Sequence, residues 1–593
     1  MKLTTEQSVR PEAPPPEARA KMVGWFDPGQ LIDTAMKVVV STLFGRNADR
    51  RLLDAIAHHN PDPCDYSTSD ELWIDYVADT GDGWNSTYAV AYHSARKTLS
   101  VKDPTGAAHD TERGHLLVFG GDEVYPTANR DAYQRKLVAP YRTALAQTAK
   151  PYPGVFAIPG NHDWYDSLVA FTRLFCSDEG RWLGGRTTVQ KLSYFAVKLP
   201  HDWWLIGTDM QLDSDLDDPQ LEYFRGIARQ MGPHDRVILC VAEPHWIYEA
   251  RYHKFDPTVN QKNLQVLEET VFEHRVAVVL AGDLHHYRRH EAPDGRQKIT
   301  AGGGGAFLYP THADQKEVEV LAQDYRCKAA YPPPAKSRRL SWRNLAFPIV
   351  NPTFGIGTGL LYLLLGWAVK ADLSNAGVGQ FGDALRITLT ATLQSQIAVL
   401  WGLLLFLGFY YFTDTNSPRY KLWGGSAHGA AHLLAAFFIG WWATRLTTHY
   451  FPFGSIAQLS LAGVLIVALG YVVGAEIMGV YLVISVNVFG RQAGEAFSSL
   501  HCEDYKSWLR IHVTPQGALK LYPIGIDRVP RAWRDGASAP DAQGEWSGLL
   551  VPADDRASEP ALIEVPVAVE RSVVAPTDAY AARPSVSSEL SRS

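Results

Sequence analysis

The sequence predicts a layered α/β domain, followed by an all-α bundle of membrane helices and then by a small β element. Three observations support this prediction. Short apolar runs alternate with helical patterns over about residues 70–310, long apolar segments follow between about 350 and 490, and a strand-turn-strand pattern comes after residue 491. At 593 residues, the chain is long enough for several domains of roughly 100–200 residues each.

Six short apolar runs in the first region indicate buried strands. Runs of Val, Ile, Leu and Phe bounded by Gly or Asp are typical of strands that are covered on both faces. Asp, Asn or His follows most of these runs, and functional groups of α/β domains collect at strand C-termini. Convergence of these polar residues on one site is the simplest interpretation. The runs are LWIDYVAD, LLVFGGD, GVFAIPGNHD, WWLIGTD, RVILCVAEPH and VAVVLAGD.

Composition restricts the classes of partner and compartment. A net charge of -7 and a pI near 6.3 supply no basic face, so nucleic acid is not expected as a stable partner. The N-terminus has no apolar stretch after its charges, which argues against a secretory signal and favours a cytosolic first domain. The cysteines are odd in number and contain no CxxC pair, which argues against a disulfide framework or thiolate zinc site. They are Cys64, Cys176, Cys240, Cys327 and Cys502.

Segment boundaries follow from changes in composition. Residues 1–22 and 553–593 are poor in large apolar groups and are predicted to be disordered. Residues 30–46 have apolar side chains at helical spacing, which fits an interfacial helix or a plain packed helix. In the C-terminal part, WLRIHVTPQGALKLYPIGI predicts two strands that could pack on the first domain. The folded units are expected over 23–335, 345–490 and 491–552.

Four apolar segments predict a multi-pass membrane domain, since a helix needs about 20 apolar residues to cross a bilayer. They are residues 350–369, 393–413, 429–447 and 456–489. A fifth span follows if the last segment breaks near Gly474 and Glu476. Basic residues favour the cytosolic side, and their distribution places the first domain and the C-terminal segment in the cytosol. On that side lie Lys336, Arg338, Arg339, Arg343, Arg419, Lys421 and Arg491, and opposite lie Lys370, Arg386 and Arg445.

Ionisable residues also occur within the apolar segments. His428 and His432 are four residues apart at the start of the third segment, and Glu476 lies in the fourth. They are candidates for a polar or metal site, because ionisable groups inside membranes are usually functional. The alternative is that the two histidines are hydrated at the membrane interface.

The polar residues after the apolar runs form a set that suits two metal ions. Such a centre needs a bridging carboxylate and further oxygen and nitrogen ligands from several strand ends. Each motif alone has a structural explanation, because GNH or GD often forms a turn and a lone His often satisfies a core hydrogen bond. Together they predict the two-metal centre of a hydrolase. They are Asp79 in ADTGDG, Asp122 in GGDEVYP, Asn161 in PGNHD, His245 in AEPH, and Asp283 and His285 in AGDLHHY.

This arrangement resembles the calcineurin-like metallophosphoesterase superfamily over about residues 70–310. Within it, the motifs are most similar to those of purple acid phosphatases, GDxG, GDxxY, GNH, a lone His and GHxHxY. The resemblance implies a four-layer α/β/β/α sandwich, here in a membrane-anchored, bacterial-type member. It also implies two divalent or mixed-valence ions of Fe, Mn or Zn. One ion would be held by Asp79, Asp122, Tyr125 and His285, and the other by Asp122, Asn161, His245 and Asp283.

The chain departs from the superfamily pattern at two places. Gly81 stands where most relatives have a metal-binding His, and either Tyr125 or Asp82 would replace that ligand. A Tyr125 phenolate would favour a ferric ion, whereas a tyrosine packed under the loop would not bind metal. Asp283 stands where the last motif normally begins with His, which shifts preference toward Mn²⁺, Fe²⁺ or Mg²⁺. His286 is the nearby substitute if Asp283 does not bind.

Two further features bear on catalysis. His162 matches the family residue that steadies the transition state or protonates the leaving group, with Asp163 as its orienting partner. The alternative is that His162 only supports the site structurally. The AGGGGAF run at 301–307 lets backbone approach the site closely, or forms only a tight turn.

The sequence therefore predicts an enzyme that hydrolyses a phosphomonoester or phosphodiester at the cytosolic face of a membrane. Membrane tethering favours a lipid-linked phosphate as substrate and makes the bilayer a partner. The alternative is a membrane sensor or transport component that is regulated by a nucleotide-binding phosphoesterase domain. A degenerate, non-catalytic binding module is disfavoured because His162 and every class of ligand are present. The sequence gives no indication of the oligomeric state.

Overall fold

The protein is described from a computed structural model. The described residues are 13–33, 36, 61–145, 154–177, 180–210, 216–375, 382, 385–386, 396–413, 417–536, 548–554 and 557–569.

Most strands lie in two large sheets. The strands are β1 Cys64–Asp65, β2 Leu72–Val77, β3 Thr98–Lys102, β4 Ala108–Glu112, β5 Leu116–Phe119, β6 Gly154–Ala157, β7 Trp182–Leu183, β8 Arg186–Thr188, β9 Phe195–Lys198, β10 Trp203–Gly207, β11 Arg236–Val241, β12 Val276–Ala281, β13 Tyr287–Glu291, β14 Gln297–Ala301, β15 Arg326–Tyr331, β16 Lys506–Val513, β17 Leu519–Ile526, β18 Trp533–Asp535, β19 Leu550–Pro552, β20 Ala561–Leu562 and β21 Val567–Val569.

The helices cover the sheets and form a separate region between β15 and β16. The helices are α1 Trp84–Ser94, α2 Arg130–Ala132, α3 Ala139–Ala144, α4 Asn161–Trp164, α5 Val169–Phe175, α6 Asp218–Ala228, α7 His245–Tyr252, α8 Lys262–Gln265, α9 Pro334–Ser341, α10 Phe347–Val350, α11 Pro352–Asn375, α12 Gln396–Phe412, α13 Pro418–Tyr420, α14 Ser426–Tyr450, α15 Ile456–Val488 and α16 Ala493–Ser498. Short 3₁₀ turns occur at Pro16–Ala18, Ala322–Asp324 and Trp342–Ala346, and π-helical turns at Tyr133–Val138, Val266–Val271 and Lys421–Gly425.

The two large sheets pack face to face. One has eight strands in the order β1-β9-β10-β11-β12-β14-β13-β15, and the other has nine, with the order β20-β17-β16-β2-β5-β6-β8-β7 and β21 beside β17. Ile74 of β2 and Ile238 of β11 lie in the core between them. Tyr88 of α1 covers the outer face of the nine-stranded sheet, and Phe224 of α6 covers that of the eight-stranded sheet. The predicted α/β/β/α sandwich is confirmed.

Burial on both faces explains why the strands are continuous apolar runs. Along β2, Ile74 and Tyr76 enter the core between the sheets, whereas Trp73 and Val77 enter the core under α1. Side chains of successive strand residues point to opposite faces, so both faces of this strand need apolar residues.

The C-terminal segment completes the nine-stranded sheet. β16 pairs with β2 in antiparallel register, with Ile511 opposite Ile74. Across this pair, Arg510 Nε donates a 2.7 Å hydrogen bond to Asp75 Oδ1 in the buried interior. The β element predicted over 491–552 is thus an integral part of the sandwich, and the phosphoesterase domain does not end at 335.

Both predicted disordered termini are partly folded. In the tail, β20 and β21 pair with β17, and Arg289 forms an ion pair with Glu564. In the N-terminal segment, the Ala20 carbonyl accepts a 2.8 Å hydrogen bond from Trp84 N. Backbone hydrogen bonds thus fold parts of both terminal segments, although their amino-acid composition predicted disorder. Residues 1–12 and 570–593 lie outside the described residues, as does most of the helix predicted over 30–46.

The region between β15 and β16 is helical. α11, α12, α14 and α15 overlap the four predicted apolar segments, and α11 and α14 both pack along α15. Within the described residues, α15 is the one single helix that is long and apolar enough to cross a membrane. Residues 334–350 and 352–366 form a second candidate only if they are taken together, and the two helices are bent by 60° relative to each other. α15 runs unbroken for 33 residues, so the predicted break near Gly474 and Glu476 is not observed.

Candidate active site

The predicted ligands come together at the carboxyl ends of strands from both sheets. β2, β5 and β6 are parallel to one another, as are β11 and β12, so their C-terminal loops meet at one edge of the sandwich. Asp79 follows β2, Asp122 follows β5, Asn161 follows β6, His245 follows β11, and Asp283 and His285 follow β12. Polar residues beyond strand C-termini form the site, as expected for layered α/β domains.

Tyr125 lies at the centre of the first ligand group. Its hydroxyl is 2.8 Å from Asp79 Oδ1, 3.1 Å from Asp122 Oδ2 and 2.9 Å from His285 Nε2. Tyr125 therefore joins three other predicted ligands through its hydroxyl and does not pack apart from them under the loop. Its role as a metal ligand stays a prediction.

The second ligand group lies nearer the solvent. Asn161, His245 and Asp283 are partly exposed, whereas the first group is buried. Asn161 Oδ1 and His245 Nε2 are nevertheless buried atoms without a hydrogen-bond partner among the described residues. Such atoms are rare in folded proteins and are often explained by an ion. The donor set therefore fits a second metal at the mouth of the site.

The three carboxylate positions share an unusual backbone conformation. Asp79, Asp122 and Asp283 have φ values of 58°, 53° and 65°. Residues other than glycine seldom adopt this left-handed region, and such strain concentrates at functional sites. The conformation turns each carboxylate into the site directly after its strand.

The structure distinguishes between the two proposed replacements for the missing His. A Cβ atom at Gly81 would lie 2.2 Å from the Glu123 carbonyl oxygen, so no side chain fits there. Asp82 accepts hydrogen bonds from Val23 N at 2.8 Å and from Phe307 N at 3.0 Å. Asp82 thus connects two neighbouring segments, whereas the Tyr125 hydroxyl contacts three other predicted ligands.

His286 is not placed as a substitute for Asp283. It is fully buried beside Tyr309, with ring centroids 6.1 Å apart. Burial and the nearby Arg288 guanidinium lower its pKa well below the usual value. Asp283 itself reaches into the site, where its backbone N–H donates a 3.0 Å hydrogen bond to Asp79 Oδ1 and its carboxylate accepts one from Tyr248.

The glycine run lies against the first ligand group. A Cβ atom at Gly302 would lie 2.3 Å from Asp79 Oδ2, so close backbone approach is required here. At the end of the run, the Phe307 carbonyl lies 2.8 Å from His285 Nδ1. This bond fixes the proton on Nδ1 and leaves Nε2 to bind a metal.

Two residues of β16 hold this loop and were not anticipated from the sequence. Ser507 N donates a 2.9 Å hydrogen bond to the Gly303 carbonyl, and buried Lys506 Nζ donates one of 2.6 Å to the Ala306 carbonyl. Both residues follow the helical region between β15 and β16 in the sequence, so no local signal connects them to the site.

Electrostatics favour a cation at the site. Burial and the neighbouring Asp122 and Asp283 carboxylates raise the pKa of Asp79 well above its usual value. Burial raises the pKa of Asp122 to about 6 and lowers that of His245 to about 4. Clustered carboxylates beside neutral imidazoles are ligands whose mutual repulsion a metal ion relieves.

No three His, Cys, Asp or Glu side chains converge closely enough to hold a metal by themselves in the part of the chain that is described. A tyrosine and an asparagine contribute to the two ligand groups above. The number and identity of the ions therefore stay predictions.

His162 lies beside the ligands, but Asp163 does not orient it. The His162 ring has its Nδ1 2.6 Å from the Pro126 carbonyl oxygen, and its backbone N–H donates to Asp122 Oδ1 at 2.9 Å. Asp163 instead accepts hydrogen bonds from the Tyr133 hydroxyl at 2.6 Å and from Gly160 N at 2.9 Å. The orienting role predicted for Asp163 thus falls to Pro126, since a carbonyl needs Nδ1 protonated and leaves Nε2 for a substrate.

The histidines in the helical region form a separate cluster. His432 Nδ1 is 2.8 Å from the Tyr362 hydroxyl, and His428 stacks on Tyr481 with ring centroids 4.0 Å apart. Both histidines are buried, which argues against simple hydration at an interface. Glu476 is only partly buried.

Comparisons with solved structures give distant similarities. GAP50, the anchor in the inner membrane complex of Plasmodium, is 14% identical with a TM-score of 0.28, covering 40% of this chain and 74% of that chain. A purple acid phosphatase from yellow lupin (Lupinus luteus) seeds is 12% identical with a TM-score of 0.27, covering 42% and 46%. PhoD is 11% identical with a TM-score of 0.29, covering 46% and 63%. The chain thus spans less than two thirds of the length of the last two.

The chain matched none of the curated proteins with which it was compared. The family model described as calcineurin-like phosphoesterase matches residues 72–287. This match confirms the predicted superfamily and supports a hydrolase that acts on phosphate esters, a class that implies divalent metal ions. It contains all seven predicted metal ligands as well as His162. Residues 72–287 of this chain are thus similar to the calcineurin-like phosphoesterase family.

Proposed function

We propose that the protein is a two-metal phosphoesterase that hydrolyses phosphomonoesters or phosphodiesters at the cytosolic face of a membrane. One observation carries this proposal. The Tyr125 hydroxyl lies within hydrogen-bonding distance of three other predicted ligands, Asp79, Asp122 and His285. The unpartnered Asn161 and His245 atoms beside this group suit a second ion.

The two ligand groups have different roles. Asp79, Tyr125 and His285 would hold the buried ion, and Asp122 would bridge to an ion held by Asn161, His245 and Asp283. When bound, the ions supply positive charge to the phosphoryl oxygens and make a water molecule a better nucleophile. The partly exposed second group is the side from which a substrate approaches.

His162 is the candidate acid. Its Nδ1–H donates to the Pro126 carbonyl, so Nε2 is the nitrogen available to a phosphoryl or leaving-group oxygen. An imidazolium that donates its Nε2 proton to the leaving oxygen contributes about 10²–10⁴ in rate. His162 would also stabilise the charge that develops on the leaving group.

The segment before α11 supports placement at a membrane surface. Trp342 and Ile349 are 55% and 82% exposed, and basic residues accompany them. The basic residues are Lys336, Arg338, Arg339 and Arg343. Exposed apolar side chains beside a basic cluster are typical of segments that lie in the interface of an anionic bilayer.

The two flanking strands support an even number of membrane crossings. β15 and β16 belong to the same sandwich, so both ends of the helical region between them lie on one side of a membrane. Four crossings fit this constraint and five do not. The basic residues at both ends favour the cytosol for the sandwich and for the C-terminal segment.

A lipid-linked phosphate is the substrate class that the surroundings of the site favour. Phe307 packs edge-on against His285, with ring centroids 4.5 Å apart. The same side chain belongs to an apolar cluster with Phe347 and Phe354 of the helical region. The Phe307 side chain therefore contacts both a predicted ligand, His285, and the apolar cluster of the helical region.

The proposal is tested with full-length protein purified in detergent. Metal content is measured together with hydrolysis of 4-nitrophenyl phosphate, bis(4-nitrophenyl) phosphate and a phospholipid monoester. We expect about two ions per chain, loss of one ion in Asn161→Ala, and retained metal with at least about 10²-fold lower kcat in His162→Ala. A metal-free wild type whose activity equals that of both variants would refute the proposal.

The histidine cluster favours a second candidate function, that of a membrane sensor or transport component regulated by the phosphoesterase domain. His428 Nε2 and His432 Nε2 are buried without a partner among the described residues, which packing alone does not require. In this case, a nucleotide would bind the phosphoesterase domain, and its binding would be coupled to the helical region. His428→Phe would then change the nucleotide affinity without changing hydrolysis. Equal nucleotide affinity in both proteins would argue against such coupling.

A further inference from the structure

The N-terminal segment crosses the candidate active site as an ordered strap, defined here as residues 20–28. Its Ala20 carbonyl accepts a hydrogen bond from Trp84 N, and its Val23 N–H donates to Asp82 Oδ1, both at 2.8 Å. Near its other end, Phe26 is 2% exposed and packs on Phe347 with ring centroids 5.0 Å apart. The strap is thus fixed on both sides of Trp25 by contacts that do not involve the Trp25 side chain.

The fixed strap places the Trp25 indole among the site residues. Its ring lies edge-on to Tyr125 at 6.2 Å, to His162 at 6.1 Å and to Phe307 at 5.4 Å between centroids. These three rings belong to a predicted metal ligand, the candidate acid and the loop that orients His285. Trp25 is itself partly exposed, so it lies at the edge of the site rather than in the core.

The indole nitrogen of Trp25 lacks a partner. Trp25 Nε1 is buried and makes no hydrogen bond to any described residue. A buried tryptophan N–H normally finds an acceptor, and the edge-on ring contacts would be served equally well by phenylalanine. The indole nitrogens of Trp84, Trp246 and Trp508 are likewise buried without a partner among the described residues, but of these four rings it is that of Trp25 that contacts both Tyr125 and His162. An unused donor at this place therefore points to an acceptor that arrives with a ligand.

We propose that Trp25 is a substrate-binding residue that selects phosphate esters with apolar leaving groups. Its indole N–H donates a hydrogen bond to a phosphoryl oxygen of the ester, and its ring forms one wall for the leaving group. The adjacent Phe26 continues that wall into the apolar cluster of the helical region. The inference rests on the proposed function, because it assigns the substrate class of the same site.

The test separates the hydrogen bond from the apolar wall with two variants of the full-length protein. Trp25→Phe keeps an aromatic ring and removes the donor, whereas Trp25→Ala removes both. Each is assayed on 4-nitrophenyl phosphate, on glycerol phosphate and for equilibrium binding of inorganic phosphate by calorimetry. Trp533→Phe is the matched control, because its Nε1 donates to Asn85 Oδ1 at 3.0 Å outside the site.

A lost hydrogen bond to a charged oxygen corresponds to about a tenfold loss in affinity or more. We therefore expect Trp25→Phe to weaken phosphate binding and raise KM about tenfold on both esters, with kcat changed much less. Trp25→Ala should in addition lose the preference for the apolar leaving group. Trp533→Phe should match the wild type, and all variants should unfold within a few degrees of it.

The outcomes distinguish this inference from the proposed function. If folded Trp25→Phe binds phosphate as tightly as the wild type, with an unchanged KM, Trp25 does not contact substrate and the inference fails. If the wild type hydrolyses no ester but binds phosphate, and Trp25→Phe weakens that binding tenfold, the binding role stands and the proposed hydrolysis fails. If the wild type neither hydrolyses esters nor binds phosphate, both proposals fail.

Discussion

The buried ion pair between Asp75 and Arg510 offers a sharp test of how the C-terminal strand supports the domain. Arg510 Nε and Nη2 donate to the two Asp75 carboxylate oxygens at 2.7 and 3.2 Å. Arg510 also donates to Thr111 Oγ1 at 3.0 Å and to the Ser94 carbonyl at 2.9 Å. Replacement by methionine, R510M, preserves much of the side-chain volume and removes the charge and all four bonds.

The expected magnitude follows from burial. Arg510 is 0% and Asp75 1% exposed, so R510M leaves the Asp75 carboxylate in the interior with the Gly114 N–H at 2.8 Å and the charge of buried Arg186 as its remaining partners. Removing one partner of such a pair costs about 3–5 kcal/mol. At about 2–4 °C per kcal/mol for a domain of this size, the thermal midpoint should fall by about 10 °C.

The assay is thermal unfolding of the full-length protein in detergent, with the double variant Asp75→Asn, Arg510→Met as control. Because the double variant lacks both charges of this pair, it should recover part of the stability that R510M loses. The reasoning is refuted if R510M unfolds within about 1 °C of the wild type, or if the double variant is less stable than R510M.

Three other changes test the ligand geometry and the electrostatics. Tyr125→Phe should weaken binding of one metal ion at least about tenfold while leaving the fold intact, as shown by metal titration and circular dichroism; unchanged affinity would exclude Tyr125 as a ligand. Gly302→Ala should displace the Asp79 carboxylate, because the added Cβ lies 2.3 Å from Asp79 Oδ2, and measured metal content should drop. Burial alone would raise the pKa of Asp314, but Arg288 and a second buried arginine outweigh it and hold the pKa well below its usual value. The resulting stabilisation is present above the unfolded pKa of Asp, about 3.9, and is lost as the pH falls below it. The thermal unfolding midpoint, measured from pH 6 to pH 3, should therefore drop less steeply in R288L than in the wild type.

The sequence predicted the parts of the site that depend on local order. Asp79, Asp122 and Asp283 follow strands whose apolar runs are recognisable in themselves, and parallel strands bring their C-terminal loops to one edge. The family match covers this same stretch of chain. A ligand directly after a buried strand is a local pattern, so one sequence is enough to find it.

The parts that the sequence did not predict depend on contacts between distant segments. The Asp75–Arg510 pair joins residues 435 positions apart, and no local pattern indicates that β16 pairs with β2. The strap contains apolar residues that can pack, but no local pattern indicates that its backbone forms hydrogen bonds with Asp82 and Trp84. The orientation of His162 by Pro126 rather than Asp163 depends on where two loops meet.

The pairing of β16 with β2 has a consequence for biogenesis. The ribosome synthesises β2 long before β16, and the helical region between β15 and β16 is synthesised between these two strands. Until β16 arrives, β2 is an open edge strand with unpaired backbone groups, and such edges attract other chains. The Gly303 and Ala306 carbonyls also lack their hydrogen-bond donors, Ser507 and Lys506, until β16 has been synthesised. These two residues fix the loop that orients His285. The candidate site is therefore completed only after the helices have been synthesised, so a nascent chain halted before β16 carries the predicted ligands but not the finished site.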